Sequence, residues 1–169
     1  KILAEIYNYA QVWNAATGEK LYGLVGLTGW IEGSVFSPDG SKILTRGGER
    51  RANVWDATTG LKLFDLVYHP DTVLSASFSP DGKKILTGSR GYLDRETPGA
   101  KVSDAATGSL LYTIKAQGDS IRSAKFSPDG TKVVIASEIL RMYKTGEPTP
   151  SFPSEECPAE VWLLPPDEL

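Results

Sequence analysis

Short runs in which apolar and polar residues alternate fill most of this chain, and each stops at a turn signal. Ile121 to Phe126 is one such run; it passes through Ser-Pro-Asp-Gly into a Lys-plus-aliphatic run, Lys132-Val133-Val134. A period of two marks a half-buried strand. Pro pre-sets the φ of a type I turn, Asp bonds its own backbone and Gly accepts positive φ, so the linking stretch predicts a tight hairpin. Phe-Ser-Pro-Asp-Gly stands three times, ending on Gly40, Gly82 and Gly130, and the other two copies lead into Lys42-Ile43-Leu44 and Lys84-Ile85-Leu86.

A second marker travels with the first. Val12-Trp13-Asn14-Ala15-Ala16-Thr17-Gly18 recurs as Val54-Trp55-Asp56-Ala57-Thr58-Thr59-Gly60 and as Val102-Ser103-Asp104-Ala105-Ala106-Thr107-Gly108, with a weaker copy at Val161-Trp162. Both sets of glycines are spaced by 42 and then 48 residues, so the repeat is not accidental. Each repeat predicts four short strands joined mostly by tight turns, the unit of one blade of a β-propeller.

At these residues the chain resembles the WD-repeat family in its bacterial form, over essentially its whole length. The resemblance implies an all-β propeller segment of four-stranded antiparallel blades, two complete and two partial, about 14 strands in an open arc. The blades are expected at 1–24 (partial), 25–66, 67–114 and 115–169 (partial, with an inserted loop at 138–158). The chain reads as part of a longer propeller; alternatively, copies self-associate through open blade edges, which offer unpaired backbone groups. The family's His falls at Leu27, His69 and Gln117, so one survives; its Trp becomes Ser103 in the third copy, and Trp162 is followed by Leu163 rather than Asp. Its His–Ser/Thr–Asp–Trp hydrogen-bond network is therefore expected to be incomplete in every blade.

Composition narrows the function classes. The chain has 169 residues, 40% hydrophobic and 23% charged, with a net charge of −3, which fits a soluble globular chain. The balance argues against nucleic-acid backbone binding, and the apolar runs are too short for a membrane span. No charged-then-apolar leader is visible. Cys157 is the single cysteine and lies among carboxylates, which disfavours a reactive thiolate; it permits a reducing cytoplasm without requiring one. One His and one Cys make a metal site improbable, and no nucleophile–base set or phosphate loop can be assembled, so no cofactor and no catalysis are expected.

Candidate binding residues follow from loop lengths. From the Lys opening the second strand to the Trp position of the third, the separations are 12, 13, 19 and 30 residues, so growth is confined to one rim of two neighbouring blades. Long loops on a rigid scaffold are either binding surfaces or plain solvated excursions. The enlarged loops carry Arg90, Tyr92, Arg95, Arg141, Tyr143 and Phe152, and Trp30 falls beside a loop of the same rim. A contact role and partial burial are both open for Trp30. By resemblance Trp13, Trp55 and Trp162 pack between blades, and His69 bonds Thr87 as a structural pair. The implied function is a non-catalytic scaffold for a protein or peptide partner. The rival is a propeller domain of a larger enzyme, such as a signalling ATPase, kinase or peptidase.

Overall fold

The computed structural model describes residues 1–27, 29–91, 99–116, 120–138 and 159–164, except for the side chains of Ile6 and Glu138. Among them are fourteen strands and no helix. They form four antiparallel sheets in chain order. The first holds β1 (Ile2–Ile6), β2 (Tyr9–Trp13) and β3 (Lys20–Gly23). The second holds β4 (Ile31–Phe36), β5 (Lys42–Gly47), β6 (Asn53–Asp56) and β7 (Lys62–Asp65). The third holds β8 (Val73–Phe78), β9 (Lys84–Ser89), β10 (Gly99–Asp104) and β11 (Leu110–Lys115). The fourth holds β12 (Ser120–Phe126), β13 (Lys132–Glu138) and β14 (Ala159–Leu163). The expected all-β propeller segment, with two four-stranded and two three-stranded blades, is what the chain builds.

Turn chemistry fixes the register. In the first Ser-Pro-Asp-Gly turn the Gly40 amide donates to Ser37 O at 2.8 Å and Gly40 has φ +70. Ser37 Oγ donates to Asp39 Oδ1 at 2.6 Å and accepts the Lys42 amide at 2.9 Å. The turns at Ser79–Asp81 and Ser127–Asp129 repeat this arrangement. Hydrogen bonds, first from Ser37 Oγ and then from Ser41, hold the Asp39 carboxyl well below the usual range, and Ser127 and Thr131 bring Asp129 to about 2. At the Thr-Gly turns Asp56 Oδ1 accepts the Thr58 and Thr59 amides at 2.8 and 2.7 Å. Asp104 does the same for Ala106 and Thr107 at 2.9 and 2.7 Å.

The core lies between blades. Adjacent residues of a strand face opposite ways, so Ile43 joins Ala10, Val12 and Leu24 of the first blade while Leu44 joins Val73 and Ile85 of the third. Leu86 in turn packs on Ile121, Ala124 and Val133 of the fourth. The Ile-Leu pairs after the first two Pro-Asp-Gly turns are thus buried on both sides because each inner blade is a filling between two others. Trp55 is fully buried in the first–second junction, and Trp162 packs on the cluster between the third and fourth. The outer strands dock similarly: the Tyr22 hydroxyl donates to Ala57 O, and Gly60 and Gly108 lie so close to the Tyr22 and Phe64 rings that a Cβ would stand 2.7 Å away.

Candidate interaction surfaces

Antiparallel order puts the Pro-Asp-Gly and Thr-Gly turns at the same end of the blades that carry them and the remaining loops at the other. Trp30 sits at that loop end, 73% exposed. Its carbonyl is held by the Gly48 amide at 3.0 Å and lies so near Gly47 that a Cβ there would stand 1.8 Å away. Gly47 therefore lets the chain pass close enough to fix the Trp30 backbone while the indole stays in solvent.

A cluster that loop length alone does not reveal lies near the same end. The exposed Tyr68 hydroxyl accepts a hydrogen bond from Arg50 Nη1 at 2.9 Å, and the Arg51 guanidinium stands 5.7 Å from the Tyr68 ring centre, in cation–π range. Arg51 also pairs with Asp65 at 3.6 Å, and Lys101 Nζ donates to Tyr68 O at 2.5 Å. Arg50 holds φ +59, a left-handed conformation that non-glycine residues seldom adopt. The visible signal was the adjacent pair Arg50-Arg51, but it sits in a short loop.

Arg90 is exposed at this end, its amide bonded to Thr72 O at 3.0 Å and its backbone bridged to Ser120 of the fourth blade. Tyr92, Arg95, Arg141, Tyr143, Phe152 and Cys157 lie outside the described residues. The structure thus places Trp30 and Arg90 at the loop end and leaves the other five binding candidates undescribed.

His69 is buried, with Nε2 2.8 Å from Thr87 Oγ1 and its amide bonded to Arg50 O at 2.8 Å. Burial, then the nearby Lys101 charge, lowers its pKa to about 3, so the ring is neutral near pH 7. Thr45, the residue corresponding to Thr87 in the second blade, accepts Trp55 Nε1 at 2.9 Å. Leu27 stands there for the His, and Ser103 stands in the third blade for the Trp. One blade keeps Thr–Trp and the next keeps His–Thr. In the first blade Ala4 occupies the Thr position, and Trp13 Nε1 is buried without a partner.

A second surface follows the inner strands. A groove of about 250 Å³ is lined by β4, β8, β12 and part of β5, with Arg46, Arg122 and Lys125 on its walls. It shares Val35, Ala76 and Lys125 with a cavity of about 450 Å³ lined by Phe36, Phe78 and Phe126 and the three turn prolines. Arg46 Nη1 pairs with Glu32 at 3.6 Å. Among the described residues no group of three or more His, Cys, Asp or Glu is placed to hold a metal ion, and no helix is long and apolar enough to cross a membrane.

Fold and surfaces define an open propeller segment whose described surface offers exposed aromatic and basic side chains. The family model described as WD domain, G-beta repeat matches residues 60–94 and 108–138, each match running from an outer strand through the next two strands. Over those two stretches the chain is similar to the WD-repeat family, in line with the resemblance of its turn motifs. No curated protein matches it. WD repeats are generally protein-interaction scaffolds and typically non-catalytic.

Proposed function

We propose that this chain binds a protein or peptide partner through its loop end. The exposed Trp30 and Tyr68, set among Arg50, Arg51 and Arg90, carry this reading. Trp, Tyr and Arg supply most interface hot spots, because each combines a large contact area with a polar or charged tip. The left-handed backbone of Arg50 adds support, since local strain tends to gather at working sites. Tyr92, Arg95, Arg141, Tyr143 and Phe152 are proposed as further contact residues on the ground of their loop lengths in the sequence alone. His69, Thr87, Trp13, Trp55, Trp162 and the glycines Gly40, Gly82 and Gly130 hold the scaffold beneath it.

Affinity capture with the wild-type chain, set beside Trp30→Ala, Arg51→Ala and a deletion of 92–98, tests the reading. One retained protein should be lost from all three variants while their circular dichroism stays β-rich. Retention of that protein by all three would sink the proposal.

A further inference from the structure

We infer that the groove along the inner strands is a second binding site, separate from the loop end, for an extended peptide carrying a carboxylate followed by apolar residues. The inference rests on the reading of the chain as a protein-interaction module. The groove owes its existence to two residues of the second blade. At the junction of the third and fourth blades Ser75 Oγ accepts the Ala124 amide at 2.9 Å and donates to Ala124 O at 3.1 Å. Beside it Gly88 lies against Ile121, where a Cβ would stand 2.5 Å from Cγ2, and β12 rests directly on β8. In the second blade Gly33 takes the place of Ser75 and Arg46 that of Gly88. Gly33 has no hydroxyl to reach across, and Arg46 is too large for a closed seam. The third blade meets the second mainly through β5 and β8, and the space beside them is the groove.

Its chemistry is graded along its length. Arg46, the exposed Arg122 and the exposed Lys125 line the upper part, together with Ser34, Ser75 and Ser123, and among the described residues no carboxylate lines it. Of the described acids near it, Glu32 pairs with Arg46 and Glu5 accepts the Ser34 hydroxyl. Towards the turns the lining becomes Val35, Phe36, Phe78 and Phe126. Lys125 belongs to both parts, so one ligand can span them. A carboxylate among guanidinium groups forms charge-assisted hydrogen bonds, and the phenyl-lined end takes apolar side chains. A small inorganic anion would use only the upper part.

Fluorescence polarisation with a labelled Glu-Glu-Leu-Phe peptide tests this, with Lys-Lys-Leu-Phe as the reversed-charge control. The acidic peptide should bind and the basic one should not. Arg122→Glu and Lys125→Glu, both at exposed positions, should each weaken binding by about tenfold or more, and added salt should weaken it further. Glu32→Gln, which releases Arg46 from its ion pair, should tighten binding, whereas Trp30→Ala and Arg51→Ala should leave it unchanged. Urea midpoints confirm that each variant is folded. Equal binding of the basic peptide, full displacement by inorganic phosphate, or insensitivity to both charge reversals would overturn the groove site. Loss of binding in Trp30→Ala would move the peptide to the loop end. Failure of the peptide to bind while the loop-end variants still lose their captured protein would end this inference and leave the loop-end reading standing.

Discussion

Two junctions in this molecule are built from the same repeat and differ in kind. Between the third and fourth blades Gly88 and Ser75 let the inner strands meet, with a backbone-matched hydroxyl and a Cβ-free contact against Ile121. Between the second and third blades Arg46 and Gly33 stand in those places and leave a basic groove. The backbone registers are alike, each inner strand carrying an irregularity at the corresponding place, between Ile31 and Gly33, Val73 and Ser75, and Ile121 and Ser123. A bulge of this kind re-aims side chains without ending the pairing. Which side chain occupies the bulge and the facing strand then decides whether the junction is a seam or a cleft.

The contrast is broken most severely by filling the seam. Gly88→Leu should cost about 3 kcal/mol in urea unfolding, because a well-packed junction has no room for it. Arg46→Gly in the open junction should change stability by less than about 1 kcal/mol, as a partly exposed ion pair contributes little. Comparable losses in both would show that the junctions are not different.

Acid separates the blades next. The folded pKa of His69, about 3, lies below its ordinary value of about 6.5, so the unfolded chain takes up the proton first. Stability from this group is complete above the ordinary value and falls as pH drops through the interval down to the folded one. The slope reaches about 1.4 kcal/mol per pH unit, or roughly 2 kcal/mol between pH 6.5 and 5. His69→Leu, matching Leu27 of the second blade, should flatten that interval in pH-dependent unfolding. The turn aspartates give a separate, more acidic limb. Their folded pKa values are depressed, so their contribution is present above the ordinary carboxylate value and is lost as pH falls towards the folded one, about 2 for Asp129. That limb should survive in His69→Leu; its disappearance would mean that the two limbs have one origin.

The smallest effect sharpens the seam itself. Ser75→Ala leaves the Ala124 amide without its partner and should cost about 1–2 kcal/mol. Gly33→Ala should be nearly neutral, because the atoms nearest its new methyl are the mobile end of Arg46. Equal effects would mean that the Ser75 bridge contributes nothing.

Much of this architecture was legible in the sequence because it is written locally. The Ser-Pro-Asp-Gly and Thr-Gly turns fix their own hydrogen bonds within a few residues, so strand number and blade order follow from their spacing. The His69–Thr87 contact was legible only through the family resemblance, which puts a structural His and a Ser or Thr at these positions. The groove was not, because it depends on how Gly33 and Arg46 face a blade some 40 residues away. Nor was the Tyr68 cluster: a length criterion points to the long loops and passes over Arg50 and Arg51. The turn end, which reads as constant and structural from its repetition, also borders the phenyl-lined part of the groove.

Titration of the isotope-labelled chain with the Glu-Glu-Leu-Phe peptide, followed by amide chemical shifts, bears most directly on the difference between the junctions. Shifts should concentrate at Gly33, Ser34, Arg46, Ser123 and Lys125, with Gly88 and the loop-end amides of Trp30 and Tyr68 still. Shifts centred on Trp30 and Tyr68, or none at saturating peptide, would contradict the open junction as a binding site.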